Sequence, residues 1–237
     1  FYITAKAFGR FAYDLNDFDA SQLVEVIPQF HDTRNRYRQL EEAIREDRVG
    51  RVKEVQEEIA FIQNRKADCF LLYDLLDEGV LPLRVTHNDT KLNNIMFDSE
   101  TKEPLCIVDL DTVMPGLALF DFGDSIRFGA NDCAEDEPDL SKVNFDFDLY
   151  ETYVKGFIEG TNGILTESEL EYLPWGARVI TLEQGIRFLT DYINGDVYYA
   201  TTRPGQNLDR ARTQLKLVQD MENVWDKMVE AVKNAQK

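Results

Sequence analysis

Cysteine and histidine are both scarce in this sequence, and their scarcity argues against several kinds of site. The 237 residues include three cysteines, Cys69, Cys106 and Cys133, and only two histidines. The cysteines are far apart, form no C-x-x-C pair, and leave one thiol over if two of them pair. This usage is typical of the reduced thiols of a cytoplasmic protein. A zinc site built from Cys and His is not expected either.

Positive charge and long apolar runs are lacking as well. Lysine and arginine number 26 against 44 aspartates and glutamates, which gives a net charge of −18. Nucleic-acid-binding proteins present a basic face, so this balance argues against a nucleic-acid partner. No apolar run approaches the roughly 20 residues of a membrane-spanning helix, so no membrane partner is expected. The N-terminal residues also lack the layout of a signal peptide.

The sequence does contain extensive helical periodicity. Apolar side chains recur every three or four residues and predict helices near 8–15, at 33–48 and 52–77, from about 119, and at 146–159, 167–173, 176–192 and 208–235. Three β-rich stretches bounded by turn residues predict short strands at 83–86, 94–97 and 105–108. Hydrophobic residues make up 43% of the chain, as in globular proteins. We therefore expect one mostly helical α+β domain spanning 1–237, with a small sheet.

The most informative side chains lie at the ends of the predicted strands. Asp89 and Asn94 stand five positions apart in the loop after 83–86, and Asp109 closes the stretch 105–108. A loop carboxylate can orient a substrate hydroxyl and accept its proton, while an amide and a second carboxylate can hold Mg²⁺ ions. Phosphoryl transfer needs such groups because its transition state carries spread negative charge. Asp and Asn are also common in ordinary turns, but the full pattern favours catalysis.

Other polar residues near this set have both functional and structural interpretations. Lys91 could contact a transferred phosphoryl group or be a solvated loop lysine. We expect His87 to brace the backbone of the loop. Asp111 could support or assist a metal ligand, but a turn or hydrogen-bonding role is favoured for it. Asp121 lies at the start of a predicted helix, where its carboxylate can accept hydrogen bonds from backbone N–H groups near the catalytic loop.

The motif around these residues resembles that of the aminoglycoside phosphotransferase and choline kinase-like superfamily, whose members are kinases of sugars and small alcohols with a protein-kinase-like fold. That superfamily shows His-Gly-Asp, an Asn five positions after the Asp, and Ile-Asp after a short hairpin. Here Asp89, Asn94 and Asp109 match, the stretch 115–124 is similar as well, and Asn88 replaces the glycine. The resemblance implies an active site that uses ATP as co-substrate and Mg²⁺ as cofactor.

Two further stretches resemble the N-acetylhexosamine 1-kinase group of that superfamily. They are 27–33, with the sequence Ile-Pro-Gln-Phe-His-Asp-Thr, and 182–199. This resemblance implies phosphorylation of the anomeric hydroxyl of the sugar, with Arg187, Asp191 and Tyr198 in the sugar pocket. Charged groups suit sugar hydroxyls, and an aromatic face suits the ring. The structural alternative is a salt bridge between Arg187 and Asp191, which are four positions apart on one helix face.

Some parts of such an enzyme have no counterpart in this sequence. No glycine-rich phosphate loop and no V-A-I-K-like strand precede the catalytic loop. By resemblance, we expect the chain to be the C-terminal lobe alone, without the N-terminal nucleotide-binding lobe. An isolated lobe that binds ATP poorly can be inactive. An apolar surface left where that lobe docks would favour a homodimer.

The sequence thus predicts an ATP- and Mg²⁺-dependent kinase of a small-molecule hydroxyl, with the anomeric hydroxyl of an N-acetylhexosamine as the favoured acceptor. Choline, ethanolamine, homoserine and aminoglycosides are alternative acceptors. A choline site would need an aromatic cage, and the acidic stretch 132–139 could attract a cationic aminoglycoside. A non-catalytic, pseudokinase-like binding module is the alternative from another class.

Overall fold

Helices make up most of the protein, as the sequence predicts. The computed structural model describes all residues, 1–237. The helices are α1 (Tyr2–Asp14), α2 (Thr33–Glu46), α3 (Gln56–Gln63), α4 (Lys66–Asp77), α5 (Ala118–Gly129), α6 (Phe147–Thr161), α7 (Glu167–Asn194), α8 (Gln206–Asn223) and α9 (Trp225–Ala235). None of them combines the length and the apolar character that crossing a bilayer would require. The expected mostly helical α+β class is confirmed.

Four short strands form two separate antiparallel pairs. β1 (Arg84–Thr86) pairs with β4 (Met114–Gly116), and β2 (Ile95–Phe97) pairs with β3 (Pro104–Ile107) in a hairpin. The three predicted strands correspond to β1, β2 and β3. The sequence does not predict β4, because Met-Pro-Gly has little strand propensity, and only its pairing with β1 makes it a strand.

The helix predicted at 52–77 is wrong, because this segment forms two helices. Helix α3 ends at Gln63, and α4 begins only at Lys66. At the interruption, Arg65 forms an ion pair with Glu222 of α8, with 2.6 Å between Nη2 and Oε2. A helical pattern in the sequence contains no sign of this contact with a distant helix.

Two further predicted helix boundaries are also wrong. The helices predicted at 167–173 and 176–192 form one continuous helix, α7, which contains Pro174. The helix predicted at 208–235 is divided at Val224 into α8 and α9. Proline is unfavourable inside a helix, so we attribute the continuity of α7 to packing, because Leu173, Pro174 and Gly176 are all buried.

Helix α7 joins two apolar cores and lies very close to α5. Its N-terminal half packs into a core with α1, α5 and α6, and its C-terminal half packs into a second core with α2, α3 and α8. At the crossing of α5 and α7, a Cβ atom on Gly123 would clash with the backbone oxygen of Gly176, and one on Gly176 would clash with the oxygen of Leu119. The absence of side chains at these two glycines therefore sets the distance between the two helices that flank the catalytic loop.

Candidate active site

The loop between β1 and β2 brings Asp89, Lys91 and Asn94 into mutual contact. Asn94 donates a hydrogen bond from Nδ2 to Asp89 Oδ2 over 3.0 Å and another to the main-chain oxygen of Asp89 over 2.8 Å. Lys91 Nζ lies 2.7 Å from Asp89 Oδ1, and the Asp89 side chain is 21% exposed. The short helical turn Leu92–Asn94 directs Asn94 back toward Asp89. The carboxylate of Asp89 is therefore held in place while remaining accessible to a substrate.

Asp109 follows β3 and lies beside this cluster. The N–H group of Val108 donates to the main-chain oxygen of Asn94 over 2.9 Å, so the two ends of the hairpin lie next to each other. Asp109 has a left-handed backbone with φ 63°, is exposed, and forms no side-chain hydrogen bond or ion pair in the structure. Asp111 is likewise exposed. It lies in the short helical turn Leu110–Thr112, and its side chain makes no hydrogen bond.

The oxygen atoms of Asn94 and Asp109 suit Mg²⁺. Because Asn94 uses its Nδ2 atom to bond Asp89, its Oδ1 atom remains available as a ligand. The structure contains no cluster of three or more His, Cys, Asp or Glu side chains that could enclose a metal. Mg²⁺ is commonly held by one or two protein oxygens and completed by water and substrate phosphates. One amide oxygen and one free carboxylate fit that mode of binding.

His87 braces the loop, as the sequence predicts. Its Nε2 atom lies 3.0 Å from the main-chain oxygen of Val108, and its Nδ1 atom accepts a hydrogen bond from the Asp89 N–H over 3.3 Å. The ring is fully buried, with Phe8 and Phe11 of α1 packed edge-on against it. His87 therefore links the residue before Asp109 directly to Asp89 and is not available as a base.

The start of α5 fastens the catalytic loop through two buried carboxylates. Asp121 accepts hydrogen bonds from the N–H groups of His87, over 2.9 Å, and Asn88, over 2.7 Å. Asp124 accepts one from the N–H of Thr90 over 3.0 Å. Burial raises the pKa of Asp121 to about 6, although these N–H groups oppose the shift. Asp121 thus has the structural position near the loop that its place in the sequence indicates.

The residue that replaces the usual glycine is accommodated by its conformation. Asn88 has φ 65°, a left-handed backbone that asparagine tolerates better than most residues. Its Nδ2 atom donates to the main-chain oxygens of Thr86, over 3.2 Å, and Thr112, over 3.0 Å. Asparagine therefore supplies both the required backbone geometry and two hydrogen bonds that glycine cannot form.

A cavity of about 480 Å³ opens beside Asp89. The catalytic loop, the segment before α2, the helices α5, α7 and α8 and the loop after α7 contribute its walls. Aromatic side chains and ion pairs alternate along these walls, and the lining includes Phe30, His31, Asp124, Arg127, Phe128, Glu135, Glu183, Arg187, Phe188, Tyr199 and Arg210. A small molecule in this cavity would lie against the carboxylate of Asp89.

Arg187 is the only one of the three predicted pocket residues that lines this cavity. Its guanidinium group lies over the rings of Phe30 and Tyr199. It donates to Gln184 over 3.1 Å and lies 3.9 Å from Glu183 Oε1. The alternative of a salt bridge between Arg187 and Asp191 is wrong, because the carboxylate nearest to Arg187 lies one turn earlier in α7.

Asp191 and Tyr198 lie away from the cavity beside Asp89. Asp191 accepts hydrogen bonds from the backbone N–H groups of 197, 198 and 199 and from Asn207 Nδ2. Tyr198 is 74% exposed, and all three predicted pocket residues, Arg187, Asp191 and Tyr198, line a separate cleft of about 340 Å³. Asp191 thus shapes the loop after α7, and the neighbouring Tyr199 lines the cavity in place of Tyr198.

Several residues of the cavity were not predicted individually from the sequence. Phe30 and His31 fall within the stretch 27–33, which was noted only as a resemblance, and Glu183 falls within 182–199. His31 approaches Glu183 across 152 positions of the chain. No local spacing indicates a contact over such a separation.

The fold is that of a kinase-like C-terminal lobe, and the geometry suits phosphoryl transfer. An accessible carboxylate faces a cavity, and an amide and a free carboxylate beside it can hold Mg²⁺. A sequence model of the APH phosphotransferase enzyme family matches residues 4–152, which is more than half of the chain. The chain belongs to that family. The matched region contains Asp89, Asn94, Asp109 and Asp121, and it ends before Arg187.

Proposed function

We propose that this phosphotransferase transfers the γ-phosphoryl group of ATP to a hydroxyl of a small neutral molecule, with the anomeric hydroxyl of an N-acetylhexosamine as the favoured acceptor. The observation that carries the proposal is the position of the Asp89 carboxylate at the cavity of about 480 Å³. This volume lies within the range of small-molecule sites. The same carboxylate contacts Lys91 and Asn94.

In the proposed reaction, Asp89 orients the acceptor hydroxyl and takes up its proton as the oxygen attacks the γ-phosphorus and the bond from that phosphorus to the bridging oxygen breaks, which releases ADP. Asn94 holds Asp89 in position and, with Asp109, supplies oxygen ligands for Mg²⁺. The metal, when bound, offsets the charge of the phosphates. Lys91 neutralises Asp89 before the acceptor binds, and it can swing toward the transferred phosphoryl group. Most of the catalytic effect then comes from positioning and electrostatics.

The charge balance of the cavity supports a neutral acceptor. Its four carboxylates are each within ion-pair distance of a cation: Asp89 with Lys91 at 2.7 Å, Asp124 with Arg127 at 3.0 Å, Glu135 with Arg127 at 3.1 Å, and Glu183 with His31 at 3.3 Å. Arg187 and Arg210 add further positive charge. No carboxylate is left over to attract a cationic substrate such as choline or an aminoglycoside.

The acidic loop at 132–139 also gives little support to a cationic acceptor. Arg203 binds Asp136 with 3.2 Å between Nη2 and Oδ2. Lys142 lies 3.7 Å from Glu137 and 3.6 Å from Asp139. Because these carboxylates already have cationic partners within the protein, they are poorly placed to bind a cationic acceptor. The loop instead contributes Glu135 to the cavity lining.

The lining chemistry favours a sugar among neutral acceptors. Phe30, Phe128, Phe188 and Tyr199 offer apolar faces, and Gln184, Arg187 and Glu183 offer planar polar groups. Carbohydrates present both apolar C–H faces and hydroxyl groups, so this alternation of surfaces suits them. This support is chemical, and the identity of the sugar rests on the resemblance of the stretches 27–33 and 182–199.

We also propose that an N-terminal lobe outside these residues completes the ATP site. Leu92, Met96, Leu105 and Leu110 are exposed, and they lie on the hairpin and turns that carry Asn94 and Asp109. Exposed apolar side chains grouped in this way are typical of a contact surface. A homodimer through the same surface is the alternative. Sedimentation of residues 1–237 alone, and of a longer protein that includes the lobe, distinguishes the two, because a surface that binds the lobe is not free to form a dimer in the longer protein.

An acceptor panel tests the proposed function. The full-length protein is incubated with ATP, Mg²⁺ and one acceptor at a time: N-acetylglucosamine, N-acetylgalactosamine, choline, homoserine or an aminoglycoside. We expect phosphate transfer to the N-acetylhexosamines, with loss of the reducing end as seen by ³¹P and ¹H NMR. Arg187→Met should raise the KM for the sugar and leave the KM for ATP unchanged. Preferred phosphorylation of a cationic acceptor, or sugar binding without transfer, would contradict the proposal.

A further inference from the structure

His31 connects helix α7 to the catalytic loop at the peptide that precedes Asp89. Its Nδ1 atom lies 3.3 Å from Glu183 Oε1, and its Nε2 atom lies 3.2 Å from the main-chain oxygen of Asn88. The hydroxyl of Thr33 donates to the second oxygen of Glu183 over 3.1 Å. His31 is 7% exposed and Glu183 is 1% exposed. The contact is therefore a buried bridge between two elements of the active site.

Both partners of the His31 ring are hydrogen-bond acceptors. A carboxylate and a carbonyl each need an N–H donor, and a neutral imidazole has only one. The other nitrogen would then present a lone pair to an oxygen at close range. Only the imidazolium form satisfies both contacts. His87 differs, because its Nδ1 atom faces the N–H of Asp89 while its Nε2 atom faces a carbonyl, which suits a neutral ring.

The surroundings of His31 favour the charged form. Burial alone lowers the pKa of His31, but Glu183, Asp124 and the contact with Asn88 outweigh burial and raise the pKa above its ordinary value. Burial would likewise raise the pKa of Glu183, yet His31 and the nearby arginines lower it. The charged or titratable groups around the pair are Arg187 on α7, Asp121, Asp124 and Arg127 on α5, Arg36 on α2, Cys69 and Tyr73 on α4, and Tyr199 in the loop after α7.

We propose that His31, paired as an imidazolium with Glu183, is a positioning residue that fixes the carbonyl of Asn88 and thereby the carboxylate of Asp89. Asp121 already holds the N–H of Asn88, so His31 holds the opposite side of the same residue. The two contacts together determine the direction in which the chain enters Asp89. The role in turnover rests on the proposed function, whereas the charge and the contact of His31 do not.

The sign of the pH dependence follows from the raised pKa. A histidine whose pKa is raised in the folded protein stabilises it fully below the ordinary value of 6.5, and this contribution is lost as pH rises through the folded pKa. We therefore expect the loop to loosen on the alkaline side, as His31 loses its proton and one of its two contacts.

NMR tests the protonation of His31 directly, because the chain has only two histidines. In the ¹⁵N-labelled protein, long-range imidazole spectra are recorded from pH 5.5 to pH 9 and assigned with the variant His31→Gln. We expect His31 to show two protonated nitrogens at pH 7. The backbone amide signal of Asp89 should move with the same midpoint as the His31 ring. A neutral His31 ring at pH 7, or an Asp89 amide signal that does not shift as His31 titrates, would overturn the proposal.

Variants then separate positioning from simple stabilisation. His31→Gln should lower kcat by roughly ten- to a hundredfold, as a small misplacement of a catalytic group does, and should remove the alkaline limb of the pH profile. As a control, Asp68→Asn removes the negative charge from a largely buried ion pair between Asp68 of α4 and Arg178 of α7, with 2.5 Å between Oδ2 and Nη2, and should leave kcat unchanged. Equal losses in both variants, or a retained alkaline limb in His31→Gln, would overturn the positioning role. If no acceptor is turned over, the proposed function fails while the NMR result still decides the contact.

Discussion

The side-chain amide of Asn94 donates to the carboxylate of Asp89, with 3.0 Å between Nδ2 and Oδ2. This contact fixes the orientation of both groups, because the amide can give its N–H atoms to Asp89 only while its oxygen points elsewhere. Asp89 is thereby held in place and Asn94 is left with a free amide oxygen, as their proposed roles in proton transfer and Mg²⁺ binding require. Asn94 stands five positions after Asp89, and at this spacing the short helical turn Leu92–Asn94 brings the two side chains into contact.

Replacing Asn94 by aspartate should place a second carboxylate in contact with that of Asp89. Asn94→Asp turns the donor that faces Asp89 into an acceptor, and like charges at this distance repel. We expect a loss of about 1–3 kcal/mol in the free energy of unfolding without Mg²⁺, measured by urea denaturation. Millimolar Mg²⁺ should restore part of the loss. Asn93→Asp, on an exposed neighbour, should show neither effect, and an Asn94→Asp variant insensitive to Mg²⁺ would speak against the metal site.

Asp121 should confer a pH dependence on the acid side. Burial raises the pKa of Asp121 to about 6 from an ordinary value of 3.8. Because the folded state binds this proton more tightly than the unfolded state, the contribution of Asp121 to the free energy of unfolding decreases as pH rises from 3.8 to about 6. The amide signals of His87 and Asn88, which donate to Asp121, should titrate with a midpoint near 6. Asp121→Asn should abolish that transition, and its persistence in the variant would assign it to another group.

Asp191 should matter for the shape of the acceptor cavity, not for direct contact with the acceptor. In Asp191→Ala, three backbone N–H groups lose their acceptor, and Asn207 Nδ2 keeps only its hydrogen bond to Asp196. Each buried group left unpaired costs about 1–3 kcal/mol, so stability should fall by at least that amount in urea denaturation. The acceptor KM should rise because Tyr199 is no longer held. Tyr198→Ala, which removes an exposed ring, should change stability by less than about 0.5 kcal/mol, and equal effects of the two variants would contradict this assignment.

The crossing of α5 and α7 should tolerate no side chain at its glycines. Gly176→Ala places a Cβ atom against the backbone of Leu119, which cannot move aside, so we expect a loss of about 1–3 kcal/mol or more. Gly185→Ala lies on the same helix, but its Cβ atom would meet the flexible end of Leu215 at 3.0 Å. Alanine is favoured over glycine in helices by about 1 kcal/mol, so this control should be nearly neutral. A Gly176→Ala variant as stable as Gly185→Ala would contradict the close packing.

The grouping of Asp89, Lys91, Asn94 and Asp109 could be predicted from the sequence because its signals are local. Asp89, Lys91 and Asn94 fall within six positions, and Asp109 follows a hairpin that is itself recognisable from its turn. The short strands and the role of Asp121 followed from the same kind of pattern. Local spacing is sufficient wherever one loop or one hairpin brings the residues together.

The walls of the acceptor cavity could not be predicted in the same way. Whether Tyr198 or Tyr199 faces the cavity depends on a loop conformation that Asp191 imposes through the backbone. The continuity of α7 through Pro174 and the role of His31 depend on packing between elements far apart in the chain. In each case the structure depends on a contact between residues far apart in the chain, and the pattern of neighbouring residues does not predict such a contact.

The central claim is that Asp89 carries out phosphoryl transfer to an acceptor hydroxyl. The most direct measurement compares turnover of ATP and an N-acetylhexosamine by the wild-type protein, Asp89→Asn and the exposed control Glu100→Gln, with circular dichroism and urea denaturation of each. We predict that Asp89→Asn abolishes turnover while it stays folded, and that Glu100→Gln retains wild-type turnover. Substantial residual turnover in a folded Asp89→Asn variant would contradict the account.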